Sequence, residues 1–165
     1  MAATPESKHR PGPLTALGFD YGIKQIGVAI GQTLTHSARA LTVFPARDGQ
    51  PDWPQLLDFI AQWRADVLIV GLPLNMDGTE SEFCLRARKF ARRLRERSSM
   101  PVQMFDERLS TRTAKLDRAF EPTTTPGKRT PGKRPRKTAL DADAARLILE
   151  SWLAQPEFAT SPDYA

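Results

Sequence analysis

Val67-Leu68-Ile69-Val70-Gly71 is apolar without interruption and too short for a helix. That is the pattern of a strand covered on both faces. A strand of this kind needs an apolar layer on each side, so the chain is expected to form an α/β fold in which helices flank a sheet. The other segments fit. Leu14 to Asp20 and Ile26 to Gly31 read as strands joined by a Tyr21-Gly22 turn, and Ala38 to Phe44 as a third extended stretch. Leu56, Leu57, Ile60 and Trp63 recur at helical spacing. Glu80 to Arg97 is the clearest helix, with Phe83, Ala87, Phe90, Ala91 and Leu94 on one stripe. Val102 to Phe105 is the next short strand, and Ser110 is a plausible N-cap for a helix running toward Phe120. The order predicts a five-stranded mixed sheet, three antiparallel strands followed by parallel crossovers.

A chain of 165 residues fits one domain. The expected boundaries are a flexible N-terminal tail at 1–13, a domain at 14–154 and a flexible C-terminal tail at 155–165. Within the domain, 121–138 is expected to be a mobile basic loop. It is rich in Thr, Pro, Gly, Lys and Arg and repeats Thr-Pro-Gly-Lys-Arg at 125–129 and 130–134. The 24 Lys and Arg exceed the 19 Asp and Glu, which favours a polyanionic partner through phosphate contacts.

Cys84 is the single cysteine, which rules out an intramolecular disulfide framework and a Cys-rich zinc site and suits a reducing cytoplasm. Met1 to Pro13 has no apolar core of a signal peptide, and no segment approaches the ~20 apolar residues of a membrane span. The expectation is a cytoplasmic protein with no membrane partner. His9 and His36 are the only histidines, leaving little for Ser-His-Asp or Cys-His chemistry.

Three acids stand out by position. Asp20 ends one strand and Glu107 follows another, and sites in such sheets form outside the carboxyl ends of parallel strands. Asp141 precedes Ala145, Ile148 and Trp152 at i+4, i+7 and i+11, so it shares the apolar stripe of a C-terminal helix that it is expected to open. Three carboxylates without cysteine or histidine suit a hard cation, Mg²⁺ or Mn²⁺, and phosphodiester hydrolysis. Each acid alone also reads as a helix cap, a turn acid or an ion-pair partner, and for Asp141 an N-cap is the simplest of these. Asp106 alternates with Glu107 in strand sense, so only one should face a metal, and Glu107 is chosen. Asp143 lies about 200° around the helix from Asp141, a poor substitute ligand.

Four blocks carry a resemblance. They are Phe19-Asp20-Tyr21-Gly22-Ile23-Lys24-Gln25-Ile26-Gly27-Val28-Ala29, Val70-Gly71-Leu72-Pro73-Leu74-Asn75-Met76-Asp77-Gly78-Thr79-Glu80, Asp106-Glu107-Arg108-Leu109-Ser110-Thr111 and Leu140-Asp141-Ala142-Asp143-Ala144-Ala145. From about Leu14 to Leu153 the chain resembles the YqgF-type family of pre-16S rRNA nucleases, long described as Holliday-junction-resolvase-like, within the ribonuclease H-like fold. The resemblance implies that Asp20, Glu107 and Asp141 are the catalytic, metal-binding acids. It implies that Lys24, Asn75 and Thr79 help bind the nucleic-acid backbone and that Arg108, Ser110 and Thr111 hold a phosphate or brace Glu107. Arg88 and Arg92, on the basic face of the 80–97 helix, are further candidates for phosphate contact, against the plainer reading of a solvated face. Gln25 departs from the basic residue usual there, and the stretch between Glu107 and Asp141 is longer and more basic than the pattern.

The implied function is a metal-dependent endonuclease in maturation of precursor 16S rRNA, with structured RNA the preferred partner. A junction resolvase acting on branched DNA is the runner-up, and a non-catalytic RNA-binding module a third reading. The Asp-x-Gly hairpin also occurs in actin-like ATPases, but those need two such lobes and only one copy fits here. Oligomeric state is not legible in this chain.

Overall fold

The computed structural model describes residues 12–108 and 137–163, with side chains of the second segment from Ala142 onward. Six strands make one sheet: β1 (Thr15–Asp20), β2 (Gln25–Gln32), β3 (Ser37–Arg47), β4 (Gln50–Pro51), β5 (Val67–Leu72) and β6 (Val102–Asp106). Their order is β4-β3-β2-β1-β5-β6. β1, β2 and β3 pair antiparallel, whereas β5 and β6 continue parallel to β1. The expected mixed sheet is present with one strand more than the five anticipated. The addition is β4, two residues paired with the end of β3 and ending in a proline that only a sheet edge tolerates.

Among the described residues three helices cover the sheet: α1 (Trp53–Trp63), α2 (Glu82–Ser98) and α3 (Lys137–Ala154). Asp52 caps α1 by accepting from the Gln55 amide at 3.1 Å, and Ser81 caps α2 by accepting from the Cys84 amide at 3.2 Å. That cap starts α2 two residues after Glu80, the expected first residue. Strand alternation then sorts the core into two layers. Leu17, Phe19, Val28, Leu68, Val70 and Met104 pack under α1 and α2. Ala16, Ala29, Ile69 and Phe105 pack under Ala145, Ile148, Leu149 and Trp152 of α3.

The α3 layer is built on missing side chains. A Cβ on Gly18 of β1 would stand 2.5 Å from Leu149 Cγ and 3.1 Å from the Ala145 carbonyl oxygen, and one on Gly31 would stand 3.3 Å from Leu153 Cδ1. Gly31 pairs with Ala16 near the start of β1. The helix therefore runs opposite to β1, from its Asp20 end back toward its beginning.

The segment after α3 corrects the expectation of a flexible C-terminal tail over its described part. Pro156–Phe158 forms a 3-10 turn. Thr160 and Met104 then exchange backbone hydrogen bonds of 2.8 Å each way, covering the outer edge of β6. Arg95 grips both carboxylate oxygens of Asp163 at 2.8 and 3.0 Å. An open strand edge presents unpaired N–H and C=O groups that must find partners, and this segment supplies them. Residues 1–11 and 109–136, which hold most of the expected N-terminal tail, the expected helix from Ser110 and most of the basic loop, lie outside the described residues. No helix among the described residues is long and apolar enough to cross a membrane.

Candidate active site

Phe19 of β1 pairs with Val70 of β5, so the next residues along, Asp20 and Gly71, stand side by side at the carboxyl end of the parallel strands. Gly71 in turn pairs with Phe105 of β6, two residues before Glu107. Glu107 has turned out of the strand and folds its side chain back over β5. A Cβ on Gly71 would lie 2.5 Å from Glu107 Oε1 and 2.6 Å from Ile148 Cδ1 of α3. The bare backbone of Gly71 is the floor on which the Glu107 carboxyl rests beside Asp20.

Burial pushes the Glu107 carboxyl up to about 8, and the neighbouring Asp20 adds to the rise through its charge and a shared hydrogen bond, with a smaller contribution from Asp106. Two carboxyl groups held this close cannot both ionise without cost unless a cation sits between them. An oxygen-rich pair at a sheet end, short of its preferred charge balance, is chemically suited to a divalent hard cation.

α3 reaches the same end of the sheet. Asp141 lies one helical turn before Ala145, whose carbonyl meets Gly18 two residues before Asp20. Asp141 is the fifth residue of α3 rather than its opener, because the helix starts at Lys137. The N-cap reading of Asp141 is thereby removed. Among the described residues no group of three His, Cys, Asp or Glu side chains converges, the Asp141 side chain being outside them. Asp143 is engaged elsewhere, accepting from Arg146 Nε at 2.7 Å while Arg146 also holds Glu150 at 2.6 Å.

Asp106 has its own occupation. Its carboxylate takes the Arg108 amide at 2.9 Å and the Arg108 guanidinium at 2.7 to 3.1 Å. This fork fixes Arg108 just beyond the strand, with Nη1 reaching the Asn75 and Met76 carbonyls at 3.5 and 3.4 Å. The turn it touches closes on itself. Asn75 Nδ2 donates to Thr79 Oγ1 at 3.0 Å, Thr79 donates to Asp77 from both its amide and its hydroxyl, and Gly78 takes the positive φ of 87°. Those bonds hold the Asp77 carboxyl below its usual range. Asn75, Thr79 and Arg108 are thus locked into one exposed turn beside Glu107. Lys24 is exposed in the β1–β2 hairpin, and Ser110 and Thr111 lie outside the described residues.

The structure departs from the sequence reading on α2. Arg88 is only 11% exposed, and its Nε donates to Glu80 at 2.6 Å. Its Nη1 reaches the Ser161 carbonyl at 3.4 Å. Arg88 is committed within the fold rather than presented to a ligand. Arg92 is half-buried, near the Asp163 carboxylate. Sequence reasoning missed the Glu80 partnership because Glu80 precedes the helix cap, where no helical spacing rule relates it to Arg88.

Residues 14–155 match the RuvX family, described as Holliday junction resolvase. The chain belongs to the RuvX family. A relative from Coxiella burnetii is 51% identical over 142 residues, covering 86% of this chain and 94% of its own length. Another from Azotobacter vinelandii is 49% identical over 146 residues, covering 87% and 96%. Both carry the name "Putative pre-16S rRNA nuclease". Among solved structures, Thermus thermophilus RuvC in complex with a Holliday junction substrate superposes with a TM-score of 0.53 at 16% identity, covering 89% of this chain and 98% of that one. This likeness establishes a ribonuclease H-like fold for the RuvX chain.

Proposed function

We propose that this RuvX-family protein is a divalent-metal-dependent endonuclease, a hydrolase of phosphodiester bonds, that matures the precursor of 16S rRNA. The observation that carries the reading is the Asp20 and Glu107 pair, held together over Gly71 at the carboxyl end of the parallel strands. Asp20, Glu107 and Asp141 would hold the cation, Mg²⁺ or Mn²⁺. When bound, such an ion activates water and neutralises charge developing on the phosphate.

The rest is the work of the chain itself. Burial of Glu107 against Gly71 and Ile148 keeps its carboxyl from swinging into solvent. Asp106 occupies Arg108 and so keeps that cation from pairing with Glu107, while aiming its guanidinium at the Asn75–Thr79 turn. That turn and Lys24 flank the acids and are suited to a substrate backbone. Names of relatives and the net basic charge favour nucleic acid as the partner. The domain limits proposed are 14–154 for the nuclease fold, with 121–138 as its basic loop.

Branched DNA is the second reading, favoured by the description of the RuvX family. The test offers the purified protein a precursor 16S RNA with its flanking sequences and, separately, a four-way DNA junction, with Mg²⁺ or with EDTA. Cleavage of the RNA, abolished by EDTA and in Asp20→Asn, is expected. Cleavage that persists in EDTA or in Asp20→Asn overturns the assignment, and junction cleavage without RNA cleavage selects the second reading.

A further inference from the structure

Tyr21 follows Asp20 in the chain but belongs to the other face of the sheet, and there it floors a second site. Its ring is buried, packed on Phe83 and Phe90 with centroids 5.4 and 5.3 Å away. Its hydroxyl meets the β3–β4 turn so closely that a Cβ on Gly49 would lie 1.9 Å from it, and Gly49 itself has a φ of 77°. The result is a cavity of about 270 Å³ bounded by Tyr21, the Asp48–Gly49 turn and the α2 face bearing Arg86, Lys89 and Arg93.

The three cations fall at i, i+3 and i+7, one helical face, and so point into a common space. Against them stand Asp48, which is 80% exposed at the rim and accepts from Arg86 Nη1 at 3.1 Å, and Glu82, one helical turn before Arg86. Arg86 also donates toward the Tyr21 hydroxyl. The cavity is below the ~300–1,000 Å³ of pockets that enclose a drug-sized molecule. Three cations and a phenol hydroxyl lining so small a volume match one phosphate group, held by charge-assisted hydrogen bonds.

We propose that Tyr21, Arg86, Lys89 and Arg93 form a second phosphate site, which holds a backbone phosphate of the bound nucleic-acid strand further along from the phosphate at Asp20 and Glu107. The site sits one residue from a proposed metal acid, so the strand would cross the carboxyl end of β1 from the α3 side to the α2 side. Such an anchor positions substrate and contributes affinity without taking part in bond cleavage. The inference rests on the nuclease reading for its substrate, but its test needs no cleavage.

The probe is a fluorescein-labelled RNA hairpin with single-stranded flanks, titrated with the full chain in EDTA across a range of salt. Lys89→Gln with Arg93→Gln is expected to weaken binding about five- to twenty-fold and to reduce the slope of log K against log salt by about one. Tyr21→Phe, which keeps the packed ring, is expected to weaken binding two- to five-fold. Arg39→Gln with Arg64→Gln removes the same charge from the other end of the sheet, beside the start of β1, and should change binding less than two-fold. Equal losses in the two double variants would reduce the effect to bulk charge and overturn the site, as would absence of binding by the native chain. With Mg²⁺ present, the Lys89 and Arg93 variant should raise KM at unchanged kcat, whereas Asp20→Asn removes kcat and leaves binding in place. An active Asp20→Asn therefore sinks the nuclease assignment while the binding isotherms still judge the pocket.

Discussion

Glu107 and Gly71 are fitted to one another: the carboxyl oxygen Oε1 occupies the volume that any side chain at position 71 would need, 2.5 Å from where its Cβ would stand. Ile148 closes the same gap from above at 2.6 Å. Gly71→Ala should therefore displace Glu107 or lift α3. Overpacking of this kind costs about 1–3 kcal/mol. Chemical denaturation should register that loss, and cleavage should fall more than stability alone explains. Gly18→Ala, which meets Leu149 instead, should destabilise comparably with a smaller loss of cleavage at temperatures where the variant stays folded.

Loss of either paired acid should separate chemistry from binding. Asp20→Asn and Glu107→Gln are each expected to lower kcat on the order of a hundred-fold or more, since they remove oxygens needed where charge develops in the transition state. RNA affinity measured by fluorescence anisotropy in EDTA should hold in Glu107→Gln, whose carboxyl already carries a proton at neutral pH, and hold or tighten in Asp20→Asn, where a negative charge near the phosphates has gone. A parallel loss of affinity would point to misfolding instead.

The elevated Glu107 carboxyl makes a pH prediction. Its folded value of about 8 lies above the 4.5 of the free side chain. Between those values the folded state holds a proton that the unfolded state has released, so stability falls as pH rises. Metal-free protein should be more stable at pH 5 than at pH 9, by at least roughly 1–2 kcal/mol, each unit of pH being worth about 1.4 kcal/mol per retained proton. Urea titrations in EDTA check this, and Glu107→Gln should flatten the dependence. Cation binding must displace the same proton, so apparent Mg²⁺ affinity should climb with pH through this range.

Arg88 should behave as a structural residue. It and Glu80 are 11% and 23% exposed, between the surface pairs worth under ~1 kcal/mol and the buried pairs that cost about 3–5 kcal/mol to break. Arg88→Ala is expected to cost about 1–3 kcal/mol, with a double-mutant cycle against Glu80→Ala showing coupling. The salt slope of RNA binding should stay unchanged.

Much of this architecture is legible in the chain because continuous apolarity marks a strand covered on both faces and 3.6-residue spacing marks a helix. Val67–Leu72 and Glu82–Ser98 announce themselves in this way. β4 does not, since two residues paired through their backbone carry no side-chain pattern. The 155–163 segment looks like a polar tail for the same reason: its hold on β6 runs through the main chain of Thr160 and a fork from Arg95 to Asp163. Asp20 and Glu107 were identifiable by their place at strand ends. The role of Gly71 was not, because a missing side chain reveals its purpose only once a neighbour fills the space. The seven basic residues on α2 show a charged face but not its division. Packing sets Arg88 against Glu80 and leaves Arg86, Lys89 and Arg93 around Tyr21.

The most direct test of the shared-cation site is anomalous X-ray diffraction from crystals of the full chain soaked in Mn²⁺. The account predicts a manganese peak within coordinating distance of both Asp20 and Glu107, with Asp141 supplying a further oxygen, and loss of that peak in Asp20→Asn. Manganese bound away from both carboxyls, or Asp20 and Glu107 turned apart while the site stays empty at saturating Mn²⁺, would contradict it.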